Sequence, residues 1–367
     1  MTRVVIREQR DASYDVIVGR GVLAELPGLL RATCPAARYA VIADHKAAEL
    51  HGARLTSLLE GAGLAFTVLQ FPSGEWNKSR EQWSELTDRM LAAGLGRDSA
   101  VIAFGGGVAG DLAGFVAATY LRGIPCVQVP TTLLAMIDSS IGGKTGVDVP
   151  AGKNLVGAFL QPRAVLADVE LLATLPKPQI AAGLAEAIKH GVIRDEAYLA
   201  TLEDPAPLLA RDLDRLAAVV RRSVELKAAV VAEDEREAGI RAILNFGHTV
   251  AHALESRSGY ELLHGEAVAI GMCVEAALAE QLGIAEGGVA ARVRAALERA
   301  RLPVTVPEST ATDALLESMH ADKKSRVGRL RCAFPRRCGT MAQGRDGEWT
   351  HEVSDEAMRA ALAGARS

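Results

Sequence analysis

The chain lacks a CxxC pair, an excess of basic residues, an apolar run of bilayer length, an internal repeat and any low-complexity segment. Each absence removes a class of protein. The five cysteines, Cys34, Cys126, Cys273, Cys332 and Cys338, are scattered and odd in number. That pattern excludes a zinc ribbon or a disulfide scaffold and points to reduced thiols. A formal net charge of −4 offers no basic field to nucleic acid or to an anionic membrane. Neither partner is therefore expected, and an anionic ligand must be held by local cations. The opening MTRVVIREQR has no apolar signal-peptide core, and a membrane span needs about 20 apolar residues in a row. A cytoplasmic location is expected. What is present is ordinary for an enzyme: 49% hydrophobic and 23% charged residues over 367 positions, enough for two domains with real cores.

Residues 99–162 organise the rest. An apolar, β-branched run at 100–104 has the length of a buried strand. It enters Gly105-Gly106-Gly107-Val108-Ala109-Gly110 and then an apolar helix-like segment at 112–120. Strand, glycine turn and helix together suit a pyrophosphate, because glycines admit the phosphates to backbone N–H groups and a helix N-terminus favours negative charge. The same turn can also serve only to pack a helix on a sheet. A second short strand at 126–129 ends in Pro130-Thr131-Thr132. Asp138-Ser139-Ser140, Gly142-Gly143-Lys144-Thr145-Gly146 and Gly152-Lys153-Asn154 follow. These charges and hydroxyls are spaced by glycines, in neither helical nor alternating pattern, so they do not read as a solvated face. Lysines on glycine loops present point charges to phosphate or carboxylate groups.

Strand candidates at 14–18, 39–43 and 66–71 alternate with helical stretches, which implies a mainly parallel sheet covered on both faces. Asp44, just past the second of these, suits either a nucleotide ribose or the N-cap of a helix beginning near Lys46. After Thr174-Leu175-Pro176-Lys177-Pro178 the composition shifts to Ala, Leu, Glu and Arg. Helical apolar spacing then marks 179–193, 207–234, 242–256, 266–282 and 288–301, with a last helix within 346–367. The expected fold class is α/β followed by all-α, with an α/β domain over 1–175 and a helical domain over 176–367.

The second half carries a metal signal. His248 and His252 are four apart and share a helix face. His264 lies before Gly265-Glu266, and Glu186 is isolated in the apolar run 183–188. A lone helical histidine is usually structural, but three within 17 residues, with that glutamate, form the plan of a catalytic zinc site with open positions. Lys189, three after Glu186, faces the same way, and Lys227 lies in an otherwise apolar stretch. Glu237, Arg241 and Asn245 recur every four residues. They would share one face if that stretch is helical. Gly239 breaks the run and Asn245 precedes Phe246-Gly247-His248, which favours site residues over a solvated charged face.

The glycine–lysine stretch, followed in order by these markers, resembles the 3-dehydroquinate synthase family, and the likeness covers roughly 44–328. The resemblance implies a Rossmann-like, doubly wound NAD-binding domain followed by a helical metal- and substrate-binding domain. It implies NAD, one divalent metal (Zn or Co) and the sugar phosphate 3-deoxy-D-arabino-heptulosonate 7-phosphate. That substrate is converted to 3-dehydroquinate and phosphate on the route to the aromatic amino acids, by transient oxidation, phosphate elimination, reduction and aldol closure. It splits the histidines differently from spacing alone: Glu186, His248 and His264 bind the metal, while His252 and Glu237 move protons. Lys144, Lys189, Lys227, Arg241, Asn154 and Asn245 are implied to bind the substrate's anionic groups. Asp138 spans substrate and nicotinamide, Arg122 reaches a neighbouring subunit's phosphate in a homodimer, and a lysine of Asp322-Lys323-Lys324, taken as Lys324, contacts phosphate. For NAD the resemblance implies Asp44, Ser73, Gly74, Glu75 and Lys78 at the adenosine end, and Gly106, Gly107, Val108, Gly110 and Asp111 at the glycine turn. Thr131, Thr132, Asp138, Ser139, Lys144, Lys153, Leu171 and Thr174 complete that set.

Some positions depart from the family pattern. Ala251 stands where glycine is usual, His190 replaces the commoner tyrosine, Pro125-Cys126 leads the second strand, and 331–337 is rich in arginine and cysteine. The alternatives are a sister cyclase acting on an amino analogue and a metal- and NAD-dependent alcohol dehydrogenase. The dense lysine set argues against the latter, since a simple alcohol needs no cationic site.

Overall fold

The structure is a computed structural model, and it describes residues 12–259, 261–321, 329–344 and 347–366. In chain order its strands are β1 (Asp15–Gly19), β2 (Arg38–Asp44), β3 (Phe66–Phe71), β4 (Ser99–Gly105), β5 (Cys126–Pro130), β6 (Lys144–Val149), β7 (Gly152–Phe159), β8 (Ala164–Asp168), β9 (Leu330–Cys332), β10 (Pro335–Arg337), β11 (Thr340–Met341) and β12 (His351–Val353). Its α-helices are α1 (Leu26–Thr33), α2 (His45–Ala47), α3 (Ala53–Gly61), α4 (Arg80–Ala92), α5 (Gly107–Thr119), α6 (Lys177–Arg194), α7 (Glu196–Leu202), α8 (Ala206–Leu209), α9 (Leu213–Glu233), α10 (His248–Arg257), α11 (His264–Gln281), α12 (Val289–Arg299), α13 (Thr312–Ala321) and α14 (Asp355–Gly364).

The first half is a six-stranded sheet in the order β1-β8-β5-β4-β2-β3, with every pairing parallel. Its inner strands β4, β5 and β8 are buried along their whole length, and β2 over 39–43, because both faces are covered. Tyr39, Val41 and Ala43 of β2 enter one core, and the intervening Ala40 and Ile42 enter the other. The strand order reverses between β2 and β4, so the carboxyl ends of those two strands flank a crevice, which is where doubly wound sheets bind ligands.

From Lys177 the chain is mainly helical. All of residues 180–193 in α6 are buried, so this helix is central, mostly apolar but carrying the buried Glu186, Lys189 and His190. Helix α11 crosses it closely. A Cβ on Gly265 would lie 2.0 Å from the Ala182 carbonyl oxygen, and one on Gly271 would lie 1.9 Å from that of Gly247. Glycine at both positions lets α11 approach α6 and α10 at backbone distance. Gly271→Ala is expected to destabilise the fold by about 3 kcal/mol, at the upper end of overpacking costs. A chemical-denaturation midpoint unchanged from the parent would refute the close approach.

Several sequence expectations need correction. Residues 144–159, read as lysine-bearing loops, form the antiparallel hairpin β6–β7, so Lys144 starts a strand. The span 207–234 is not one helix: α8 ends before Arg211, which has φ 64, and α9 starts at Leu213. Residues 242–256 are likewise divided, because Ile240–Asn245 is a 3-10 turn and Gly247 has φ 82. The second half also holds two small antiparallel ladders, β10–β11 and β9–β12, the latter occupying part of the expected last helix.

Candidate active site

The glycine turn after β4 and Asp44 at the end of β2 meet at the switch point. Asp44 caps α2: its Oδ1 accepts from the N–H groups of Lys46 (2.9 Å) and Ala47 (3.1 Å) and from the Ser73 hydroxyl (2.8 Å). The capping alternative is thus the arrangement seen, and it holds Ser73 beside Asp44. Gly105 has φ 153, and a Cβ there would stand 2.6 Å from Asp44 Oδ2. The cradle exists because no side chain fills it. Helix α5 begins next to it with no side-chain cap, leaving first-turn N–H groups for an anion. Gly106 borders Thr132, and Gly107 borders the Ser139 hydroxyl, so the turn and the Thr-Thr and Asp-Ser motifs meet there. Asp138 and Ser139 lie on a short π-helical turn, Ala135–Ser139. Val108, Gly110 and Asp111 continue the first turns of α5, and Thr131 is buried at the end of β5. Leu171 is buried, and Thr174 bonds His51 (3.0 Å).

Next to this cradle lies a set of cations. Buried Lys227 donates to the Asp138 carboxylate (2.8 Å) and to its carbonyl (2.6 Å). Burial raises the Asp138 pKa, but the Lys227 ammonium, His190 and Lys189 more than reverse this, so its carboxyl stays well below the usual range. Lys144 pairs with Glu237, which in turn accepts from the Asn245 amide. Glu237, Arg241 and Asn245 do not share a helix face, because Glu237 sits in a turn with φ 60 ahead of the 3-10 segment. The turn, not a helix, brings Glu237 and Asn245 together. Arg241 is buried and donates to the carbonyls of Gly142 (3.1 Å) and Glu235, gripping the glycine turn that leads to Lys144. Asn154 is an exposed residue near the start of β7 with φ 53, and Arg122 lies on the positive-φ segment after α5. Lys324 lies outside the described residues.

At the floor, α6, α10 and α11 converge on three ligand-type atoms that all lie within 4.8 Å of one another, from Glu186, His248 and His264. Both imidazoles present the same edge. His248 Nδ1 bonds the Phe246 carbonyl (3.2 Å) and His264 Nδ1 bonds the Glu255 carboxylate (3.3 Å). Carbonyl and carboxylate oxygens only accept, so both Nδ1 atoms carry a proton, and Nε2 is the ring atom that would ligate a metal. Those Nε2 atoms lie 3.6 Å and 3.5 Å from Glu186 Oε1, a fully buried oxygen with no hydrogen-bond donor. Donors about 2.1 Å from one tetrahedral ion stand about 3.4 Å apart, so the separations fit a divalent metal. Lys189 pairs with Glu186. His252, one turn after His248, meets it edge to face at 5.6 Å.

Comparison with known proteins bears on this arrangement. Residues 68–182 match the family model described as 3-dehydroquinate synthase N-terminal, and residues 183–325 match 3-dehydroquinate synthase C-terminal. The chain belongs to the 3-dehydroquinate synthase family. A 3-dehydroquinate synthase of Symbiobacterium thermophilum is 49% identical over 96% of this chain and 98% of its own. Among solved structures, a 2-epi-5-epi-valiolone synthase from Streptomyces hygroscopicus subsp. jinggangensis, with NAD+ and Zn2+ bound, superposes with TM-score 0.88. It is 30% identical, covering 99% of both chains. A 2-deoxy-scyllo-inosose synthase complexed with carbaglucose-6-phosphate, NAD+ and Co2+ also gives 0.88, at 25% identity over 96% of this chain and 97% of that one.

Within this 3-dehydroquinate synthase framework the structure adds residues that sequence reasoning passed over. Glu255 and Glu275 are buried carboxylates in apolar helices, the same signal that singled out Glu186. Glu275 of α11 accepts from the N–H groups of Gly247 (2.8 Å) and Thr249 (3.1 Å), so it caps the helix that carries His248. His190 is fully buried 3.7 Å from Asp138, and burial lowers its pKa. Ala251, also fully buried, lies where α10 meets Gly271.

After the turn that follows β3, buried Lys78 approaches three carboxylates: Glu75 (2.8 Å), Asp111 (3.4 Å) and Asp148 (3.7 Å). Burial opposes the Lys78 charge, but the carboxylates raise its pKa overall. Burial also pushes Glu75 up, yet Lys78 and Lys153 bring it down to about 2. Burial, with Glu75 and Asp148 facing it, lifts Asp111 to about 6 from 3.8 against the pull of Lys78. These two acids act on stability with opposite sign. Asp111 holds its proton more tightly when folded, so its contribution is full below 3.8 and is lost as pH rises through about 6. The Glu75 contribution is present above 4.5 and is lost as pH falls toward about 2. Asp111→Asn is expected to flatten the loss of stability between about pH 4 and pH 6, worth roughly 3 kcal/mol, while sparing the acid limb. Superimposable stability–pH curves for parent and variant would refute the assignment.

Proposed function

We propose that this chain acts as a 3-dehydroquinate synthase, converting 3-deoxy-D-arabino-heptulosonate 7-phosphate to 3-dehydroquinate and phosphate with NAD and one divalent metal, Zn2+ or Co2+. The observation that carries the reading is the juxtaposition of the Glu186–His248–His264 triad with Lys144, Lys189, Lys227 and Arg241 around one cleft. A polyanionic sugar phosphate needs that cationic wall in a chain of net charge −4. When bound, NAD supplies reversible redox chemistry and the metal supplies Lewis acidity.

The chain's own residues do the remaining work. The glycine turn, Thr132 and Ser139 seat the cofactor phosphates, while Asp44, Ser73, Glu75 and Lys78 hold its adenosine end. Lys227 fixes Asp138 between nicotinamide and substrate. Lys144, Lys189, Arg241, Asn154 and Asn245 orient carboxylate and phosphate. His252 and Glu237 hold or accept protons. We place the domain division near residue 175, between β8 and α6, assign the enzyme to the cytoplasm, and take the functional unit to be a homodimer in which Arg122 serves the partner's phosphate site.

Lys144→Ala is expected to lower turnover by roughly 10²-fold, by loss of a contact to a charged group in the transition state. Stability should change little, because Lys144 is half exposed and exposed ion pairs contribute about 0–1 kcal/mol. Parental kinetics would confine the lysine to a structural role. The reaction itself is tested by stoichiometry, with metal-loaded protein, the heptulosonate phosphate and catalytic NAD+. Phosphate and carbocycle forming one for one, without net NADH, is the expected result. Steady NADH accumulation would instead identify a dehydrogenase, and turnover confined to an amino analogue a sister cyclase.

A further inference from the structure

A single chain of alternating charges crosses the cleft. Lys78 pairs with Glu75 (2.8 Å), Glu75 with Lys153 (3.3 Å), Lys153 with Glu255 (2.9 Å), and Glu255 with His264 (3.3 Å). His264 faces Glu186 (3.5 Å), and Glu186 pairs with Lys189. The first two groups belong to the turn after β3, Lys153 to the β6–β7 hairpin, and Glu255 to α10. Within this chain one oxygen has two duties: Glu255 Oε1 accepts from both Lys153 Nζ and His264 Nδ1. Glu255 is 2% exposed and its other oxygen, Oε2, is buried without a hydrogen-bond partner. Its orientation is therefore set by those two contacts.

We propose that Glu255 is a positioning residue that couples cofactor binding to metal binding, by holding His264 for the metal while gripping Lys153 of the cofactor side. The inference rests on the metal and cofactor sites proposed above. Only a carboxylate at this point both fixes the Nδ1–H form of His264, leaving Nε2 toward Glu186, and answers the lysine from the facing element. Cofactor bound along Glu75 and Lys153 changes the bridge in one of two ways. It immobilises Lys153 and with it Glu255, or it draws Lys153 away and leaves the full carboxylate charge to His264. Either response favours a cation at Nε2. The coupling is thus positive, and linkage makes it equal in both directions.

The test uses the full-length chain stripped of metal, titrated with Co2+ and followed by its visible d–d absorption, with and without saturating NAD+. The parent is expected to bind Co2+ at least about fivefold more tightly with NAD+ present, a coupling of ordinary size. Glu255→Gln should weaken Co2+ about 10–100-fold, as loss of a carboxylate behind a ligating imidazole does, and should bring the NAD+ effect to unity. Lys153→Met leaves the Glu255–His264 contact intact. Without NAD+ it should bind Co2+ at least as tightly as the parent, because the whole Glu255 charge then faces His264, but saturating NAD+ should no longer tighten Co2+, an effect that a merely structural role for Glu255 would not produce. His264→Ala separates the two readings. If it binds Co2+ like the parent, the metal site is wrong and the coupling falls with it. If it loses Co2+ while Glu255→Gln keeps both parental affinity and parental coupling, the metal site stands and only the role of Glu255 is overturned. Should Glu255→Gln fail to fold, unchanged coupling in Lys153→Met would by itself overturn the proposal.

Discussion

Replacing His264 by alanine is expected to leave protein that retains no stoichiometric divalent metal and turns over at least about 10³-fold more slowly, since a Lewis acid supplies several kcal/mol of charge stabilisation. The imidazole is the keystone of the floor. Burial lowers its pKa, but the Glu255 and Glu186 carboxylates on either side overcome this and raise it to about 10. With a carboxylate on each side, Glu186 at Nε2 and Glu255 at Nδ1, the ring sits where positive charge is favoured. Removing the ring leaves Glu186 and Glu255 without the group between them, so the thermal midpoint is also expected to fall. Metal analysis after gel filtration, alongside kcat, reads the result. A variant that keeps both metal and activity would remove His264 from the site.

The second large effect is expected at Lys227. Its side chain is 7% exposed, and its ammonium holds both the carboxylate and the carbonyl of Asp138. Lys227→Met removes one partner of a buried pair and strands the other, which typically costs about 3–5 kcal/mol. Activity should be lost as well, because Asp138 is then free to rotate away from its place beside the glycine turn. The double variant Asp138→Asn with Lys227→Met discriminates the causes. It removes both charges, so stability is expected to recover by at least about 2 kcal/mol while activity does not. If the double variant is as unstable as the sum of the singles, the two residues are not an energetic pair.

The sheet was legible because its strands are short, apolar and β-branched, with turns at each end. The run at 66–71 matches β3 to the residue, and those at 39–43 and 100–104 lie within β2 and β4. The helices of the second half were legible where apolar spacing ran unbroken, as in α6, α11 and α12. Legibility failed where a backbone conformation was decisive. Arg211 at φ 64, Glu237 at φ 60 and Gly247 at φ 82 end or divide segments whose side chains read as continuous helix. The β6–β7 hairpin was missed because its glycines and lysines do not alternate, and it is held instead against α5 and along its own ladder.

By itself the sequence determined the class of the fold, the glycine turn after β4 and the set of residue types fit for a metal and a sugar phosphate. Those are local properties: a period of apolar residues, a missing side chain, a charge in an apolar run. The tertiary structure alone decided which of them meet. It turned Nε2 of His248 and His264 toward Glu186, set Glu275 at the start of α10, and laid Lys153 against Glu255 across 102 residues of chain. The reason is physical. A buried charge is tolerated only where other elements bring it a partner, and the direction of an imidazole is set by the acceptor behind it, which no local pattern records.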